Sequence, residues 1–130
     1  MGGEEPAGRP LICLVDDEVG ILAAVSAAIR SRGDYEVQGF DRAAAFLGFV
    51  RAPSTSCLVT DYKMTAMSGL QLVKEVRRRG WTFPVVVSSG VVGQDIPRGF
   101  AGLNVAAFIE KAAGSDLLIA TVFRLLPSLP

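Results

Sequence analysis

Short apolar runs separated by stretches of helical periodicity organise this chain. The runs are Leu11 to Val15, Tyr35 to Phe40, Cys57 to Thr60, Pro84 to Ser88 and Ala106 to Ile109. The fourth is nearly all valine, and an unbroken apolar run is what a strand covered on both faces shows. Tyr35 to Phe40 alternates enough for an edge strand. Between the runs, Ile21, Leu22, Val25 and Ile29 fall on one helical face, with Gly33 at the stop. Asp41 stands as an N-cap for a helix over Arg42 to Val50, with Phe46, Leu47 and Val50 turned inward. Ser68 caps a third helix whose stripe is Leu70, Val73 and Val76 and which Gly80 ends. Ser115 caps a last helix that runs to about Leu126 and is stopped by Pro127.

The segment from Asp95 to Asn104 is weaker. It holds Pro97, Gly99 and Gly102, and each interior glycine costs a helix about 1 kcal/mol against alanine. A poor fourth helix and a long loop both satisfy it. A weak element beside a site can also change conformation cheaply. Strands alternating with helices at this spacing predict an α/β fold, a doubly wound parallel sheet of five strands with five helices and right-handed crossovers. No internal repeat or second domain is visible.

In such a sheet, ligands bind beyond the carboxyl ends of the strands. Asp16 and Asp17 follow the first run, Asp61 the third and Lys111 the fifth. Three carboxylates and an ammonium are thus expected on one rim. Like charges packed together call for a cation, and hard oxygen ligands favour magnesium.

Composition narrows the chemistry. The 130 residues suffice for one domain with a real core. Thirteen basic and thirteen acidic residues cancel, which is not the charge balance of a nucleic-acid binder. Arg77-Arg78-Arg79 is the one basic cluster and reads as a solvated helix end. No apolar stretch approaches the roughly 20 residues of a spanning helix, and Met1 to Pro10 has no hydrophobic region, so a flexible tail and a cytoplasmic protein are expected, with no membrane contact. The two cysteines, Cys13 and Cys57, sit inside predicted strands as buried thiols rather than a redox pair. The chain has no histidine, which removes histidine-based triads and the commonest zinc ligand sets. Any phosphohistidine must come from another protein.

The motifs "VDDE" at Val15 to Glu18, "LVTDYKMTAMSGLQL" at Leu58 to Leu72, "PVVVSSG" at Pro84 to Gly90 and "FIEK" at Phe108 to Lys111 resemble a known family, the response-regulator receiver domains of two-component signalling. The resemblance spans residues 11 to 126, with 127 to 130 a terminus or the start of a linker. "VTD", "MSGL" and "FIEK" look most like receivers of nitrogen-fixation-type (FixJ-like) transcription regulators. It implies the flavodoxin-like strand order 2-1-3-4-5. It also implies a phosphorylation-dependent switch that catalyses only its own phosphoryl transfer and hydrolysis, with a sensor histidine kinase as partner.

Residue by residue, Asp61 matches the phosphoacceptor. Asp16 and Asp17 match the acidic pair that holds magnesium together with Asp61 and the backbone carbonyl of Lys63. Lys111 matches the lysine that pairs with phosphoryl oxygens, Ser89 the hydroxyl that bonds the transferred group, and Phe108 the aromatic whose rotamer follows that hydroxyl. Ser88 is the neighbouring alternative for the hydroxyl role. Two positions depart from the pattern. Ala112 follows Lys111 where the family usually has proline, and Thr65 follows Met64 where it usually has proline. Val91 stands where the family often carries a polar side chain, from which a long-lived phosphoryl group is expected.

Two other classes compete. One is an atypical, phosphate-independent receiver that serves as a docking module. The other is an enzyme on the same architecture. Against the enzyme, Asp-Asp-Glu replaces the GxGxxG of a dinucleotide site, no P-loop pattern occurs, and Lys63 stands where an aspartate phosphatase is expected to carry its second Asp. For output, Phe100 and Leu103, with Ile119, Val122 and Phe123 on the last helix, are expected to form an apolar face of the fourth helix, fifth strand and fifth helix for a homodimer or an intramolecular partner.

Overall fold

A computed structural model of the chain describes residues 9–90 and 95–126. Five parallel strands, β1 (Leu11–Val15), β2 (Glu36–Phe40), β3 (Cys57–Asp61), β4 (Val85–Ser89) and β5 (Ala107–Glu110), form one sheet in the order β2-β1-β3-β4-β5. Each observed strand lies within one residue of its expected bounds. The helices are α1 (Val19–Arg30), α2 (Ala43–Leu47), α3 (Gly69–Arg78), α4 (Asp95–Gly99) and α5 (Ser115–Leu125). The expectations for the tail up to Gly8, for Val91 and for Pro127 to Pro130 concern positions outside the described residues.

Strand alternation sorts the core into two layers. Leu11, Cys13 and Val15 of β1, Leu58 of β3, and Val85 and Val87 of β4 pack with α2 and α3 through Phe46, Leu72, Val73 and Val76. Ile12 and Leu14, Cys57 and Val59, and Val86 face α1 and α5, meeting Val25, Ile29, Leu118, Ile119 and Val122. β1, β3 and β4 are buried along their whole length, as central strands of a doubly wound sheet must be. Cys13 and Cys57 lie in opposite layers and are free thiols, raised by burial to about 11 and about 12 respectively. They cannot bridge.

Several local expectations are corrected. The N-cap of α2 is Arg42, not Asp41, and the helix stops at Leu47, leaving Val50 87% exposed. Leu72, not Leu70, joins Val73 and Val76 in the buried stripe of α3. Gly114 (φ 89°) caps α5, and Ser115 is its first residue. α4 is five residues long, and the chain then turns through Gly102 (φ 81°) and Asn104 (φ 58°), so both the weak helix and the loop are present in sequence. Ser68 does cap α3, in a capping box in which its hydroxyl accepts from the Gln71 N–H and the Gln71 side chain accepts from the Ser68 N–H.

Arg77 is not a solvated helix end. Its guanidinium donates to the carbonyls of Leu103 (2.8 Å), Trp81 (2.9 Å), Phe83 (2.9 Å) and Asn104 (3.2 Å). It thereby ties the end of α3 to the segment between α4 and β5. Arg78 and Arg79 pair instead with Glu75.

Most of the expected partner face is interior. Phe100, Ile119 and Val122 are buried in the core. The Phe123 ring lies 5.0 Å from that of Tyr35 with Arg32 over it, on the α1 side. On the last helix, Leu118, Ile119 and Val122 join the core layer shared with α1, whereas Leu117 stays exposed. Of the five residues, Leu103, beyond α4, and Phe123 keep part-exposed positions.

Gly69 fixes how closely α3 approaches the end of β3. Its N–H donates to the Tyr62 carbonyl at 2.8 Å. A Cβ there would fall on the Asp61 carbonyl oxygen and within 2.9 Å of Tyr62 Cα. Backbone cannot yield as a side-chain tip can. Gly69→Ala is therefore expected to lower stability by about 1–3 kcal/mol in urea denaturation, the usual cost of overpacking; a change under roughly 0.5 kcal/mol would contradict this account of the close approach.

Candidate functional site: an acidic rim closed by Lys111

β1, β3 and β5 end on the same edge of the sheet because all run parallel. β1 delivers Asp16, β3 delivers Asp61 as its last residue, and β5 delivers Lys111, which opens a 3-10 turn over Lys111–Ala113. The Lys111 Nζ lies 3.0 Å from Asp61 Oδ2, 3.0 Å from Glu18 Oε1 and 3.3 Å from Asp16 Oδ2. One ammonium thus touches three carboxylates. Asp16 and Asp61 are buried, whereas Glu18 is mostly exposed.

The first turn after β1 decides which acids face the site. Asp16 Oδ1 accepts a hydrogen bond from the Glu18 N–H at 2.9 Å, an Asx-type turn that leaves Asp16 Oδ2 for Lys111. Carboxylate oxygens of Asp16, Glu18 and Asp61 lie within 4.8 Å of one another, a set of hard oxygen donors that suits a metal ion. Asp17 is exposed and stands outside this cluster, while Glu18, the last letter of "VDDE", stands in it. The acidic run itself signalled the site; only the turn geometry selects Glu18.

The hydroxyl residues divide between the two faces. Ser88 is the partner of Asp61 in the β3–β4 register, and its carbonyl accepts from the Tyr62 N–H at 2.8 Å. Ser88 also lines a hollow of about 20 Å³ with Asp16 and Asp61, room for about one water-sized group. Ser89 is buried one position further, and alternation puts it on the face of Val87 and Phe108. The Phe108 ring packs edge-on against Phe100 at 5.3 Å, and Phe100 meets Tyr62 at 6.1 Å. An aromatic row therefore runs from the residue after Asp61 to β5. Lys63 is exposed in the loop that follows, where Ala66 adopts φ 70°.

Charge and burial compete at this rim. Burial raises the Asp16 carboxyl above its ordinary range; the Glu18 N–H pulls it back, Asp61 adds to the rise, and Lys111 opposes it. Burial works against the Lys111 charge, but the hydrogen bonds it donates to Asp61 and Glu18 and the charges of Asp16 and Asp61 outweigh that and raise its pKa.

Fold and rim define a response regulator receiver domain, and the comparisons agree: residues 12–123 match the family described as "Response regulator receiver domain", so the chain belongs to it. It is 34% identical over 122 residues to the response regulator protein TmoT of Ectopseudomonas mendocina, covering 90% of this chain and 54% of that protein. It is 32% identical over 111 residues to the transcriptional regulatory protein FixJ of Azorhizobium caulinodans, covering 84% of this chain and 51% of that one. Among solved structures, that of FixJ-N superposes with a TM-score of 0.76 at 26% identity, covering 92% of this chain and 98% of the other. The receiver is thus FixJ-like, and the chain spans about half the length of the curated relatives it matches. No helix among the described residues is long and apolar enough to cross a membrane.

Replacing the central cation tests the electrostatics. Lys111 has a raised pKa, so its contribution to stability is complete below its unfolded value near 10.4 and is lost only above that. Lys111→Met leaves three facing carboxylates and should cost roughly 1–3 kcal/mol at about pH 7, less than the 3–5 of a fully buried pair. As pH falls Asp16, whose pKa burial raises, takes up a proton, and the deficit should shrink. Urea denaturation at about pH 7 and about pH 4.5 checks this. A deficit that stays constant or grows with acidification would contradict it.

Proposed function

We propose that Asp61 accepts a phosphoryl group from a phosphohistidine on a sensor histidine kinase. The observation that carries this reading is the Lys111 ammonium held 3.0 Å from Asp61 Oδ2 at the carboxyl edge of the sheet. A carboxylate oxygen of Asp61 attacks phosphorus, the P–N bond breaks, and its electron pair returns to the partner's imidazole. The product is an acyl phosphate on Asp61. Lys111 then exchanges a carboxylate partner for a phosphoryl oxygen, with little travel. The chain has no histidine of its own, so the donor is supplied by the partner.

Asp16, Asp17 and Asp61, with the Lys63 carbonyl, are the groups we assign to magnesium, and the position of Glu18 adds it to that set. When bound, magnesium offsets the negative charge that accumulates as an anionic phosphoryl group meets a carboxylate. The donor chemistry supports three of these: oxygens of Asp16, Glu18 and Asp61 already converge on a cation, the Lys111 ammonium, whereas Asp17 and the Lys63 carbonyl rest on the family resemblance. Ser89 is our choice for the hydroxyl that follows the transferred group, because it shares a face with Phe108; Ser88, beside Asp61, is the alternative. Movement of Ser89 would reach Phe108 and through Phe100 the α4 segment. The α4–β5–α5 surface is therefore our output face, for a second copy or an effector that regulates transcription in a longer protein. A phosphate-independent docking module is the alternative reading, in which Lys111 would serve only to neutralise Asp16 and Asp61. We place the domain in the cytoplasm, where the buried thiols of Cys13 and Cys57 stay reduced.

Incubation with magnesium and acetyl phosphate, read by intact mass, tests the reading. Wild type should gain one phosphoryl mass, and Asp61→Ala should gain none. Equal gain in both, or no gain in wild type, would overturn it.

A further inference from the structure

Among the described residues, Glu18 is the carboxylate of the rim that the expected site did not contain, and its geometry is specific. It follows the buried Asp16 by two residues, its backbone N–H is fixed on Asp16 Oδ1 at 2.9 Å, and its carboxylate reaches Lys111 Nζ at 3.0 Å. Its side chain is 60% exposed, against 5% for Asp61 and 9% for Asp16. Lys111 therefore has a buried side, facing Asp61 and Asp16, and a solvent side, closed by Glu18.

We infer that Glu18 is a positioning residue that clasps Lys111 in the resting site, and that it thereby sets divalent-cation affinity against the ease of phosphoryl acceptance. This rests on the reading of Asp61 as the acceptor. The physical argument has two parts. Glu18 adds a negative charge to the oxygens a divalent cation would use, and it shares the ammonium with Asp61 and Asp16, so that the ammonium is not spent on those two alone. Both effects strengthen cation binding. The same charge repels an anionic phosphodonor, and the same hydrogen bond must be given up before Lys111 can turn wholly to a phosphoryl group. Affinity for the cation and speed of acceptance are thus set in opposition by one exposed carboxylate.

Because Glu18 is exposed, Glu18→Gln keeps shape and backbone while removing the charge, and Glu18→Asp keeps the charge on a shorter arm. Magnesium affinity is measured directly by calorimetry without any phosphodonor. Acceptance is followed by intact mass with acetyl phosphate at saturating magnesium. For Glu18→Gln the magnesium Kd should rise, and the acceptance rate should rise too, each by about two- to fivefold, the span one solvent-facing ion pair accounts for. Glu18→Asp should return the Kd toward wild type. An unchanged Kd and rate in Glu18→Gln, or slower acceptance at saturating magnesium, would overturn the inference. A raised Kd with no mass gain in either protein would support the assignment of Glu18 and count against Asp61 as acceptor, so the two failures are distinguishable.

Discussion

The contact between the Lys111 ammonium and the carboxylates of Asp16, Glu18 and Asp61 is the constraint around which this domain is arranged, because it is where three parallel strands become mutually dependent. Asp16 and Asp61 are buried, and burial disfavours the charge of Asp16. Without a cation the carboxyl ends of β1 and β3 would repel one another. β5, an edge strand, supplies that cation. A parallel sheet suits the task because every strand end lies on one rim and the crossover helices carry the chain back to the opposite edge. The arrangement holds three carboxylates and one ammonium within contact distance.

The remainder of the molecule serves to hold that rim in register. Gly69 lets α3 close onto the Asp61 carbonyl, and the Ser68–Gln71 capping box fixes the start of that helix. At the other end of α3, Arg77 grips four carbonyls across two connecting segments, one of them leading into β5. A single short helix thus braces the loop after Asp61 at its first turn and the segment leading into β5 at its last. Tyr62, Phe100 and Phe108 form a second, apolar link between the same regions. The two departures in the motifs, Thr65 and Ala112, lie in the turns after Asp61 and Lys111, and neither removes a group that touches the rim.

Strands and site were legible in the sequence for a common reason: a buried strand needs consecutive apolar residues, and a charged residue at its end stands out. Asp16, Asp61 and Lys111 could be placed on one rim from that pattern alone. Helix ends were less legible. Asp41 and Ser115 are good capping residues by type, yet Arg42 and Gly114 occupy the cap positions, because packing of Phe46 and of Leu118 against the sheet fixes where each helix begins. The buried stripe of α3 runs through Leu72 rather than Leu70 for the same reason. Glu18 was hidden among three consecutive acids, since only the turn at Asp16 decides which of its neighbours points back. Arg77 looked like a surface charge because its partners are backbone carbonyls distant in sequence, which carry no residue signature. The apolar all-round α5 suggested a partner face, but Tyr35, α1 and the sheet take up Leu118, Ile119, Val122 and Phe123 and leave only Leu117 of its large apolar residues exposed.

The central claim is that, of the carboxylates on this rim, Asp61 is the one that forms the acyl phosphate. Borohydride reduction distinguishes them, since it converts an aspartyl phosphate to homoserine at the modified position and leaves free carboxylates intact. After treatment with a phosphodonor and magnesium, followed by reduction and peptide mass spectrometry, homoserine should replace Asp61 and no other residue. Homoserine at Asp16 or Asp17, reduction at Glu18, or full retention of Asp61 after a confirmed phosphoryl gain would contradict the account.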